Sequence, residues 1–183
     1  MRQGIMVRVK SRTLFAIIIV AAAVAAGAVF VLLDTSEREP QKQEPHAILG
    51  SEFTRYTNDR YGSSFEYPRG MTVETVDEDE GEVIVFHDRF QIFVSPFGDD
   101  EAITPERILE DIPGLVIREP HTVVLGTRAN ASFDALAFWS EDAVIGKTRE
   151  VWFTHDGNLY EITARADFDT MLAGILSTWQ FER

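Results

Sequence analysis

The sequence predicts an α+β head, an antiparallel sheet flanked by helices, carried behind one transmembrane helix. Three observations lead there. An uncharged apolar run occupies residues 13–33, short β-rich runs alternate with turn residues after it, and a single apolar stripe at helical spacing lies near the end.

The run TLFAIIIVAAAVAAGAVFVLL, Thr13 to Leu33, holds 21 residues without a charge. As a helix it extends about 31 Å, enough for a hydrocarbon core of roughly 30 Å. A helix also satisfies its backbone polar groups within one segment, as lipid demands. Arg2, Arg8, Lys10 and Arg12 precede the run, while Asp34, Glu37 and Glu39 follow it. That asymmetry puts residues 1–12 in the cytoplasm and the chain from residue 34 outside. Ala23-Val24-Ala25 and Ala26-Gly27-Ala28 also fit the cleavage site of a secreted protein's signal peptide. Against cleavage, the apolar run continues through Val29 to Leu33, longer than a usual signal core. Ala23 and Gly27 have the spacing of close helix pairs, which arises by chance in so alanine-rich a segment.

From Asp34 to Arg55 the chain reads DTSEREPQKQEPHAILGSEFTR, rich in Glu, Gln, Lys and Pro. It offers too little apolar surface to offset chain entropy and reads as a disordered stalk. As flexible coil, residues 34–50 reach roughly 20–25 Å. His46 in it is read as solvated. The globular domain is expected over 56–183.

Within that domain, SSFEYP (63–68) reads as a strand closed by Pro68, with a turn at Arg69-Gly70. MTVETV (71–76) reads as the next strand. EVIVFH and FQIFVS flank Asp88-Arg89; paired across a two-residue turn, they set Val85 opposite Ile92 and Ile84 opposite Phe93. Both faces of that pair are apolar, as in strands covered on both sides. Thr104-Pro105-Glu106 is a helix start: a hydroxyl cap, proline in the first turn and an acid at the positive dipole end. Ile108, Leu109 and Ile112 form its apolar stripe, and Pro113-Gly114 stop it. Residues 121–142 read as two strands, the second carrying Leu136 and Phe138.

Asp156-Gly157 fits the centre of a two-residue hairpin. The implied pairs are His155–Asn158, Phe153–Tyr160 and Val151–Ile162, which place Phe153, Tyr160, Val151 and Ile162 on one side. The other side then holds Thr148, Glu150, Trp152, Glu161, Thr163 and Arg165, with Thr154 and Leu159. After it, Asp167 is placed to cap a helix in which Phe168, Met171, Leu172, Ile175, Leu176 and Trp179 recur on one stripe. A terminal β-like Trp-Gln-Phe follows.

Charge and missing residue types exclude several functions. The net charge of −13 divides into +4 over residues 1–33 and −17 over the rest. Such a field repels phosphate backbones, so no nucleic-acid partner is expected. Cysteine is absent, which removes disulfides, thiolate metal sites and a cysteine nucleophile. His87-Asp88 and His155-Asp156 invite a membrane-tethered, metal-dependent hydrolase built on His87, His121 and His155, an alternative that needs those side chains to converge. Both dipeptides sit at expected hairpin ends, and no helical His-x-x-x-His spacing occurs. The acidic run 77–82 lacks the positions of a calcium loop, with glycine fifth and Asp88 twelfth counted from Asp77, and reads as a solvated turn. Asp99, Asp100 and Glu101 suit a polar loop. Asn130-Ala131-Ser132 matches a glycan acceptor that chance explains. Trp139 and Trp152 are candidate partner contacts, because aromatics are enriched at interfaces. No catalytic residue, cofactor or metal site is expected.

The stretches YTNDRYGSSFEYPRGMTV and VWFTHDGNLYEITARADFDTMLAGILSTWQF resemble the two ends of PsbP-like domains over about residues 56–182. The matching features are an aromatic-Gly-x-x-Phe-x-Tyr-Pro opening strand, the Asp-Gly-Asn-Leu-Tyr hairpin and a terminal helix running into Trp-x-Phe. The resemblance implies an antiparallel sheet flanked by helices and a non-catalytic role in binding or assembly, with a protein partner outside the membrane. The uncleaved anchor departs from lumenal members of that family. No metal-site motif of the family transfers to these residues.

Overall fold

The computed structural model describes residues 52–86, 89–98, 102–126 and 132–182. The tail at 1–12, the span at 13–33 and most of the stalk, with His46, lie outside the described residues. So do His87, Asp88, the acidic run 99–101, Asn130 and Ala131. No helix among the described residues is long and apolar enough to cross a membrane.

The chain lays down β1 (Phe53–Asn58), β2 (Ser63–Pro68), β3 (Val73–Glu78), β4 (Gly81–Phe86), β5 (Phe90–Pro96), α1 (Pro105–Asp111), β6 (Arg118–Leu125), β7 (Phe133–Asp142), β8 (Gly146–His155), β9 (Asn158–Arg165), α2 (Asp169–Ser177) and β10 (Gln180–Phe181). The expectation of one sheet is corrected to two. A seven-stranded antiparallel sheet runs β3-β4-β5-β9-β8-β7-β6, and β1-β2-β10 form a separate small sheet. Aromatic side chains cause the split. Tyr56 and Tyr67 meet Phe86 edge-on, and Phe65 stacks on Trp179 at 4.7 Å, so the β1–β2 hairpin lies on the face of the large sheet instead of extending its edge. β1 also starts at Phe53, upstream of the boundary expected at 56, because its alternation of outward and inward residues pairs with β2 as far as Pro68.

The first face of the large sheet therefore carries the main core. Ile84, Phe86, Ile92, Val94, Val151, Phe153, Tyr160 and Ile162 pack there against Phe65, Trp179 and the α2 residues Leu172, Ile175 and Leu176. The hairpin read at Asp156-Gly157 is present in the expected register, from His155↔Asn158 to Val151↔Ile162. Asp156 at φ 47° and Gly157 at φ 69° both occupy the left-handed region that this turn requires. The β4–β5 register differs from expectation by one residue: Ile84 pairs with Ile92 and Phe86 with Phe90. The longer connection wins because it stacks Phe86 on Phe90 at 4.3 Å within the core, where a two-residue turn would set Phe86 against Gln91. Gly81 permits the approach of these strands, since a Cβ there would overlap the Val94 carbonyl oxygen.

Two further corrections concern helices. Asp167 does not cap α2; it sits in the 3-10 turn Ala166–Phe168, where its carboxylate faces Arg165 at 3.3 Å and Arg89 at 3.5 Å. Trp179 lies beyond the end of α2 yet remains on the buried stripe, 1% exposed. In α1 the Thr104 side chain accepts from the Arg107 backbone N–H, as its cap position requires. Ile108 is buried there, but Leu109 is 39% exposed, because one side of so short a helix meets the sheet.

The second face of the large sheet is covered as well. Leu136, Phe138 and Trp152 pack there with Ile108, and Ile103, Ile112, Leu115 and Ile117 close over them. The acidic run 77–82 forms the β3–β4 hairpin, with Glu78 paired to Gly81. Glu82 turns inward and is held by Asn58 and Arg60.

Candidate functional site: an acidic cavity on the second face of the sheet

β5, β9 and β8 lie side by side, so their outward positions form rows across the strands. One row runs Phe93, Glu161, Trp152, and the next Gln91, Thr163, Glu150. These residues floor a cavity of about 280 Å³, walled by the segment Ile112–Val116 and by residues 140–145, the end of β7 and the turn after it. Among the described residues its lining includes four carboxylates, those of Glu141, Asp142, Glu150 and Glu161, and no Lys, Arg or His.

Three of the four are engaged. Glu141 pairs with Arg118 at 3.0 Å. Asp142 accepts from the backbone N–H groups of Val144 and Ile145 and so builds the β7–β8 turn. Glu150, 6% exposed, accepts from Thr148 Oγ1 at 2.6 Å, from Thr163 Oγ1 at 2.7 Å and more weakly from Trp152 Nε1 at 3.4 Å. Its pKa is nonetheless raised, because burial outweighs those three hydrogen bonds, and repulsion from Asp142 adds to the rise.

Glu161 differs. Its carboxylate accepts no hydrogen bond from a described residue, and its partly open surface lines the cavity. Shielding from bulk water, with repulsion from Glu150, pushes its pKa from 4.5 up to about 8. An acid so placed is a hydrogen-bond donor when protonated, and when ionised a charge without a counter-ion.

The residues singled out by sequence fall elsewhere or serve other ends. Trp152 is 6% exposed, packed edge-on to Phe138 at 5.8 Å, and it walls the cavity. Trp139 is half-buried on the opposite face, with Arg149 at 3.6 Å and Lys147 at 4.0 Å over its ring. The structure does not bring the two together. His121 is exposed on β6, where its Nδ1 lies 2.9 Å from the Glu119 carbonyl oxygen. His155 stacks on Phe181 at 3.6 Å beside the β8–β9 turn. Among the described residues no group of three or more His, Asp or Glu is placed to hold a metal ion. Glu150 and Glu161 were assigned by sequence to the right face, but not as buried. The available signal was Trp152, Leu136 and Phe138 on that same face, which need a cover.

Among solved structures, cyanobacterial PsbP (CyanoP) from Synechocystis sp. PCC 6803 is similar over 77% of this chain and 99% of that one. The identity is 14% and the TM-score 0.46, a likeness too distant to carry an argument about residues or role. No family model and no curated protein matches the chain.

Proposed function

We propose that this chain is a single-pass membrane protein that displays a PsbP-like head outside the cytoplasm as a non-catalytic binding or assembly module. The observation that carries the binding role is the acidic cavity. It is a recess built by three strands and two covering segments, with Glu150 held on its floor by the hydroxyls of Thr148 and Thr163. The uncharged run at 13–33 with its flanking charges supports the tether and its orientation. The opening-strand, hairpin and Trp-x-Phe motifs support the family. The hydrolase alternative draws no support from the positions of His121 and His155.

Protease added to sealed spheroplasts is the test of placement. The expected result is loss of the head and survival of a membrane-protected fragment that begins at residue 1, with crosslinking in intact membranes recovering a discrete partner. A head that is spared in sealed cells but cut after permeabilisation contradicts the orientation. A head released into the medium without residues 13–33 contradicts the anchor.

A further inference from the structure

We propose that the cavity beneath Ile112–Val116 is a receptor for an organic monocation, an ammonium or guanidinium head on a short aliphatic stem, with Glu161 as its counter-ion. The proposal rests on the binding-module reading and names the chemistry of what is bound.

Four features select that ligand class. The lining is acidic and has no basic side chain among the described residues, so an anion is repelled and none of these residues already supplies a cation. Arg118 on β6 is paired to Glu141, and Arg149 on β8 to Asp169 on the other face of the sheet at 2.7 Å. Glu161 is the carboxylate without a donor, and it sits between Phe93 and Trp152, whose aromatic faces suit a cation and its methylenes. Size sets the limit: about 280 Å³ falls just below the usual range for small-molecule sites, roughly 300–1,000 Å³, and matches a side-chain-sized group better than a nucleotide or sugar chain. A divalent metal is a poor fit. The oxygens of Glu150 already accept three hydrogen bonds, Asp142 is held by two backbone N–H groups, and the described residues offer no metal-holding group.

Binding is coupled to a proton. Among the described residues the titratable groups that share the lining with Glu161 are Glu150 from β8 and Glu141 and Asp142 from the end of β7; β5 and Ile112–Val116 bring none. Without a cation beside it Glu161 therefore holds its proton up to about pH 8, and the arriving cation must displace that proton. Affinity rises about tenfold per pH unit below that value and levels above it, roughly 90-fold in all between pH 6 and pH 9.

The test uses the full chain in detergent micelles, following the Trp152 indole N–H resonance while 1-butylamine, capped lysine or capped arginine is added. Butanol serves as the uncharged control. The expected result is a saturable shift with the cations and none with butanol, strengthening with pH, and at least tenfold weaker in Glu161→Gln. Tighter binding of 1-butylamine assigns a free amine as the source, and tighter binding of a capped residue assigns a partner's side chain. No saturable shift, an equal response to butanol, or indifference to Glu161→Gln overturns the proposal. If membrane crosslinking recovers the same partner with Glu161→Gln as with the unaltered chain, the module stands and the cavity is not its contact.

Discussion

Truncating Trp179 to alanine is expected to lower the stability of the head by about 3–5 kcal/mol, the usual cost of removing a large buried aromatic. The side chain is 1% exposed. It stacks on Phe65 of the small sheet at 4.7 Å, and meets Phe153 and Tyr160 of the large sheet edge-on at 5.6 and 6.1 Å. It is thus the piece that locks one sheet to the other, and its loss leaves a cavity that neither rigid sheet can collapse to fill. Its Nε1–H finds no hydrogen-bond partner among the described residues. Trp179→Phe therefore keeps much of the ring stacking and removes an unsatisfied donor, so its cost is expected to be well under half that of alanine. Chemical denaturation of the two variants checks this; a loss below about 1 kcal/mol for alanine contradicts the role given to Trp179.

Replacing Glu161 by glutamine is expected to do the reverse, stabilising the head, and only at high pH. The sign follows from the direction of the shift. The folded state holds the Glu161 proton up to about pH 8, whereas the unfolded chain releases it near 4.5. Between those values the folded state binds more protons, so rising pH costs stability, and the full cost is present above about pH 8. A shift of that size corresponds to roughly 4–5 kcal/mol as an upper bound. Glutamine does not ionise and resembles the protonated acid in size and polarity, so a net gain of about 2–3 kcal/mol at pH 9, part of that upper bound, is expected. At pH 5 the two proteins should melt together. Glu150 shares the same shielding and its pKa is also raised, so the pH profile of the unaltered protein belongs to the pair. Thermal melts at pH 5 and pH 9 decide: equal melting temperatures at both values contradict the shielding of Glu161.

Much of the fold was legible because local rules and tertiary packing agree. Asp156-Gly157 demanded positive φ at two successive positions, which fixed the β8–β9 register, and with it the division of the hairpin into two faces. The Thr104 cap was legible for the same reason, since its partner is the backbone N–H three residues away. The failures are positions where a distant partner decides. The β4–β5 register depends on stacking of Phe86 with Phe90, which no turn rule contains. Asp167 looked like a cap, but Arg89 and Arg165 claim its carboxylate. The small sheet stacks on the large one through aromatic pairs that join residues far apart in sequence.

The cavity was illegible for a related reason. Glu150 and Glu161 alternate with core residues along their strands, which is the pattern of a solvated face. What buries them is the segment from Ile112 to Val116 and residues 140–145, whose return over the sheet leaves no periodic trace. Trp152 beside them was the one residue whose size argued for a cover.

A carbon-13 NMR titration of the Glu161 side-chain carboxyl, in the full chain and without added ligand, asks whether this acid stands shielded and alone in its recess. A midpoint near pH 8 is expected. A midpoint near 4.5 would mean that water or another donor already serves the carboxylate, and the reading of the cavity as a seat for a cation would fall with it.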